Sequence, residues 1–328
     1  MFNYRQFFIM VQLFYHLLSC GRFDHLKIFL PDELNTSTDR DFHANGDIRN
    51  YCPNGSSETK ECNTNPDKIK AGFIWLFEQN IVNRISNLSK EQTDIFIIYI
   101  IIWFNYMLTL KPDNNTSDLN DFYTKYTEDN THYYYCKKKD VNCNSILKDN
   151  LKYNNFKEII DKRKDLLNIN FDDMSKFYDA FKLLCKMYTE FDEHDPKCTE
   201  YLKIANQFVE KYKELNGYSD ITEGSLYYQV WSTLSNDYDN FKKKCNDSKS
   251  YNFPSLPPIK KTQTPLDSSE DNHVQDSEVA SSSSSIANKL FIVLSIFGAI
   301  AILLGISYKV NNKELKKNYY IYVNVKKK

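Results

Sequence analysis

Glycine and proline are scarce, with 8 and 9 in 328 residues. Folds built on tight β-turns and loops that cradle phosphates both draw on those residues, so the shortage argues against a turn-rich β protein and favours helices. The chain contains no Walker loop, Gly-x-Gly-x-x-Gly, His-Glu-x-x-His, Gly-x-Ser-x-Gly or kinase signature. No motif with an enzymatic mechanism is therefore present, and neither an enzyme nor a resident cofactor is expected. Charge is missing from two long stretches, and cysteine from everything after residue 245.

What is present can bury a core: 41% of residues are hydrophobic and 15% aromatic, enough for one large domain or two small ones. The expected fold class is mainly α. The net charge of −1 hides a split, because Lys309, Lys313, Lys316, Lys317, Lys326, Lys327 and Lys328 face only Glu314 after residue 308, leaving −7 for the chain before them. A general nucleic-acid binder would place its excess positive charge on the folded domain, so no nucleic-acid partner is expected.

The stretch Leu290 to Ile306 is uncharged and holds Ser295 as its one hydroxyl side chain. At ~1.5 Å per residue, about twenty residues cross a bilayer, so residues 289–308 are read as a single transmembrane helix with Lys289 and Lys309 snorkelling at its ends. The basic tail, 309–328, then belongs on the cytoplasmic side and the larger N-terminal part on the other. That polar tail argues against a lipid-anchor signal. Ala301 and Gly305 form a small-xxx-small pair, a weak pointer to self-association through the span.

The eight cysteines, Cys20, Cys52, Cys62, Cys136, Cys143, Cys185, Cys198 and Cys245, all precede the span and share one compartment. An even set on the outer side suggests disulfides, with the connectivity open. The alternative for a residue such as Cys185, set in an apolar stripe, is a buried small hydrophobe. Cys185, His194 and Cys198 raise a zinc question, but their spacing fits none of the paired zinc patterns and no metal is expected.

Between residue 20 and residue 245 the pattern is helical. Asn65-Pro66 and Asp195-Pro196 each offer an Asx cap followed by proline at a first helical position. Core stripes follow: Ile69, Phe73, Leu76 and Phe77; Met174, Phe177, Tyr178, Phe181, Leu184, Cys185 and Tyr188; Leu202, Ala205, Phe208, Val209 and Tyr212; Val230, Leu234, Tyr238 and Phe241. Their spacing is that of helix faces turned to a core. Residues 95–110 carry no charge; they are short for a span and contain Asn105, so a buried central helix is favoured over a second crossing.

Residues 7–18 form an apolar stretch behind Arg5, interrupted by Gln12 and His16. Residues 1–19 are thus either a signal peptide, a recessed targeting segment or the start of a buried first helix. Residues 246–288, with Pro254, Pro257, Pro258, Pro265 and the run Ser281 to Ser285, read as a flexible linker or stalk.

The acids Asp192, Glu193 and Asp195 fit a helix N-terminus, where they complement the macrodipole. Lys137 to Lys139 after Tyr133 to Tyr135 read as a solvated loop. Asn-x-Ser/Thr sequons at Asn35, Asn54, Asn87, Asn114, Asn115 and Asn246 are expected by chance in an asparagine-rich chain.

The segments CGRFDHLKIFLPDEL from Cys20, YCPNG from Tyr51, IKAGFIWLFEQN from Ile69, DIFIIYIIIWFNYML from Asp94, SKFYDAFKLLCKMYTEFDE from Ser175 and TLSNDYDNFKKKC from Thr233 resemble the Plasmodium interspersed repeat (PIR) family, of YIR/BIR/CIR type. The serine run, the span and the lysine tail also stand where that family has them. The resemblance implies a member of a multigene family of malaria-parasite variant antigens, linked to the infected red-cell surface, antigenic variation and immune evasion, with no family-wide enzymatic activity. It implies a helical ectodomain over 20–245 with 95–110 buried, and it places Cys20, Cys52, Cys62, Cys185, Cys198 and Cys245 at family-like positions. The sequence departs from the family in three places. Phe73 follows Ala71-Gly72 where the family has cysteine, Cys136 and Cys143 fall in a variable region, and nineteen residues precede Cys20 where the family has few.

The expected protein is therefore a single-pass membrane antigen, exported toward the infected red-cell surface or parasite-derived membranes, with the lipid bilayer and host antibodies as partners. A host-receptor adhesin and a non-surface component of parasite export membranes are the alternatives.

Overall fold

Helix starts in this protein are set by side chains that reach back to satisfy the first free backbone N–H groups. The computed structural model describes residues 4–33, 36–44, 46–53, 60–111, 123–124, 145, 147–191, 198–215, 225–248 and 252–258, with side chains of the first helix from His16 onward. The α-helices are α1 (Tyr4–Phe29), α2 (Gly46–Arg49), α3 (Asn65–Asn80), α4 (Lys90–Leu110), α5 (Phe156–Asp161), α6 (Phe171–Glu190), α7 (Cys198–Leu215) and α8 (Leu226–Ser248), with short 3₁₀ and π turns between them. Among the described residues there is no β-strand.

Thr64, rather than Asn65, caps α3: its hydroxyl accepts the Asp67 N–H at 3.2 Å while the Asp67 carboxylate accepts the Thr64 N–H at 3.1 Å. This reciprocal box satisfies two donors where an Asx cap at Asn65 would satisfy one, which moves the start by one residue. Ser89 and Gln92 make the same box at α4, and Asn155 and Asn170 cap α5 and α6. The expected start at Asp195-Pro196 lies outside the described residues, as do the acids Asp192, Glu193 and Asp195.

α6 is the central element, packing against α7, α1, α4 and α8, while α3 packs on α4 and α1. Its stripe faces inward as its spacing demands, with Met174, Phe177, Tyr178, Phe181, Leu184, Cys185 and Tyr188 buried. On α7 the buried face is Cys198, Tyr201, Ile204, Ala205, Phe208, Val209, Tyr212 and Leu215, and Leu202 sits at its edge.

α4 is long and apolar enough to cross a membrane by length and composition. In the fold it is a core helix, buried on every side from Phe96 to Leu108, the environment expected of a helix that is hydrophobic all round. Asn105, fully buried, donates from its side-chain nitrogen to the Ile169 carbonyl at 3.4 Å. Where α3 crosses α4, Gly72 permits the contact: a Cβ there would lie 2.8 Å from Trp103 Cη2 and 3.2 Å from Leu26 Cδ2.

The packed unit runs past residue 245, so the expected linker boundary moves. α8 continues to Ser248, and the segment 252–258 returns onto it. Phe253 is buried near Phe241, Tyr238 donates to the Pro254 carbonyl at 2.7 Å, and Lys242 donates to Ser255 Oγ at 2.9 Å. One buried aromatic and two hydrogen bonds hold a proline-bearing segment that composition alone assigns to a tether. The remainder of the expected stalk, the span 289–308 and the basic tail lie outside the described residues.

Candidate functional site

The cysteines give this helical unit its frame. Cys20 of α1 is bonded to Cys185 of α6, Cys198 of α7 to Cys245 of α8, and Cys52 to Cys62 across the loop before α3. All six are buried, and among the described residues no cysteine is free. The connectivity ties the central helix to α1 and closes the α7–α8 hairpin, so neither Cys185 nor Cys198 keeps a thiolate for the zinc set considered with His194. Among the described residues no group of three His, Cys, Asp or Glu side chains could hold a metal ion. Cys136, Cys143, His194, Lys137 to Lys139 and the sequons other than Asn87 and Asn246 lie outside the described residues. Asn87 is exposed in the turn before α4.

Phe73, at the position where the resemblance implies a cysteine, is fully buried, its ring centroid 4.6 Å from that of Phe104. Aromatic packing joins α3 to α4 at this point.

Among the described residues, three polar clusters tie separate parts of the chain together under this frame. In the first, Asp237 of α8 accepts a hydrogen bond from the Tyr99 hydroxyl and lies 3.3 Å from His16 Nε2, while Tyr188 donates to the Asp237 carbonyl at 2.8 Å and stacks on the His16 ring. Burial pushes the Asp237 carboxyl above its ordinary value, with His16 and Tyr99 partly offsetting the rise. Burial, then the neighbouring Asp237, holds the Tyr99 and Tyr188 phenols far above theirs. These are the residue types of a proton-transfer site, but at 4%, 1% and 2% exposure His16, Asp237 and Tyr99 present almost no surface to a ligand.

In the second, Tyr178 donates to the Asp32 carboxylate at 2.5 Å, Tyr106 donates to the Asp32 carbonyl at 3.0 Å, and Lys27 reaches that carboxylate at 3.5 Å. Burial and then Asp32 raise the Tyr106 phenol to about 12. Lys182 lies over both rings, 5.1 Å from Tyr178 and 5.6 Å from Tyr106. In the third, Arg163 joins Asp94 of α4 at 3.3 Å to Gln229 of α8 at 2.8 Å, and Tyr153 donates to Asp94 at 2.9 Å.

In each cluster a neutral phenol donates to a carboxylate or carbonyl carried by a different part of the chain. Phenols held protonated donate hydrogen bonds and do not act as nucleophiles. The arrangement fixes the helices in register, and the carboxylates of Asp237, Asp32 and Asp94 each have a hydrogen-bonding partner.

Sequence reasoning did not single out Asp237, Asp32, Asp94 or Arg163. A signal existed for Asp237, because position 237 falls between Leu234 and Tyr238 on the core face of α8, where a charge needs a buried partner.

The sequence profile of the family described as Plasmodium variant antigen protein Cir/Yir/Bir matches residues 20–309. Among solved structures, the ectodomain of a Plasmodium PIR protein is similar to this chain at 34% identity and a TM-score of 0.58, over 76% of this chain and 99% of that one. Among curated proteins, none matches.

Proposed function

The chain belongs to the Plasmodium variant antigen family Cir/Yir/Bir, the PIR family, and from that premise we propose that it is a membrane-anchored antigen displaying its helical ectodomain to the host. The observation that carries the reading is the extent of the match: residues 20–309 run from Cys20 through the uncharged stretch Leu290 to Ile306 as far as Lys309. The span anchors the chain in a lipid bilayer, the lysine tail faces the cytoplasmic side, and host antibodies meet the outer helices and loops.

The core supports this role physically. Its buried phenols and disulfides are insulated from surface change, so exposed positions can vary at small energetic cost and alter what an antibody contacts. Antigenic variation and immune evasion are then properties of a constant frame with a changeable surface. The reading is tested by labelling intact infected red cells with antibodies that recognise only the oxidised ectodomain. Display predicts labelling without permeabilisation, and labelling that requires permeabilisation contradicts it.

A further inference from the structure

A chain with an apolar stretch at residues 7–18 and the small-x-small sequence Ser19-Cys20-Gly21 behind it has the outline of a segment cut after Gly21. The structure assigns that region another role. α1 runs without a break from Tyr4 to Phe29, across every candidate cut. His16 and Ser19 are buried, and the His16 ring stacks on Tyr188 and meets Phe96 edge-on, with its Nε2 at Asp237.

Each cut has a specific physical consequence. Cleavage after Gly21 removes Cys20, leaves Cys185 without its partner in the middle of α6, and enters the region the family profile matches. Cleavage after Ser19 places a charged α-amino group on Cys20, which is 3% exposed, and burying an unpaired charge is strongly unfavourable. Either cut also strips Asp237, 1% exposed, of its imidazole partner.

We infer that the segment before Cys20 stays on the mature protein as an uncleaved targeting segment, and that its last turn is a working part of the ectodomain core through His16. The test is peptide mapping of the full chain, produced in cells that process secretory proteins and digested with trypsin without reduction. Retention predicts a peptide spanning residues 6–22 disulfide-linked to the peptide 183–186 that carries Cys185. A linked fragment of residues 20–22, or an N-terminus at Arg22 with Cys185 alkylated as a free thiol, overturns the inference. For the role of His16, His16→Ala in the full chain is expected to lower the melting temperature by about 5 °C. An unchanged melting temperature would reduce the segment to a passive overhang and contradict the assignment.

Discussion

Cys20 and Cys185, 165 residues apart in the chain, are bonded where α1 packs on α6. On the chain-entropy account, closing a loop of that length restricts the unfolded state by up to about 5 kcal/mol, against about 3 kcal/mol for the short loop between Cys52 and Cys62. Replacing both Cys20 and Cys185 by serine is therefore expected to lower unfolding free energy more than the same change at Cys52 and Cys62. Denaturant unfolding of the two double variants checks the order. Equal losses would mean that loop length does not set the contribution of these bridges and would contradict the chain-entropy account.

Gly72 lies under Trp103, and a Cβ at that position would stand 2.8 Å from the indole. Gly72→Ala is expected to cost about 2 kcal/mol through overpacking, and Trp103→Phe in the same chain should recover part of the loss. Thermal unfolding of the single and double variants measures the coupling, and strict additivity would contradict the contact.

Asp237 holds its proton more tightly in the fold than its ordinary value of 3.8, chiefly because it is buried. A carboxyl with a raised folded pKa binds more protons in the native state than in the unfolded chain over the interval between the two values. Its contribution to stability therefore falls as pH rises from 3.8 through that interval. In Asp237→Asn this slope is removed, so the difference in melting temperature between variant and native protein should shift in the variant's favour as pH rises from about 4 toward neutrality. A pH-independent difference would contradict the assignment.

Phe253 anchors the segment after α8. Phe253→Ala is expected to cost about 3 kcal/mol, the usual loss for a buried phenylalanine, and to expose residues 252–258 to proteolysis. Limited proteolysis followed by mass spectrometry locates the new cut, and an unchanged pattern would return that segment to the tether.

The helices were legible wherever an apolar stripe repeats near 3.6 residues, as from Met174 to Tyr188, because that spacing has one packing solution. The burial of α4 followed from its length and from Asn105, whose side chain finds the Ile169 carbonyl inside the protein. The pairing of Cys20 with Cys185 was not legible, since it depends on which helices meet. Asp237, Asp32 and Asp94 were hidden for the same reason: each is satisfied by a tyrosine or arginine on another element, and local patterns carry no record of such partners. Phe253 was not legible because an aromatic among prolines and lysines resembles a linker until the face it covers is known.

Display on the outer side of a membrane is open to protease protection on intact infected red cells, with one tag within the ectodomain and another after Lys328. Protease added outside is expected to cut the ectodomain while the lysine tail stays intact until the cells are permeabilised. An ectodomain cut only after permeabilisation would contradict surface display and place the protein on internal membranes.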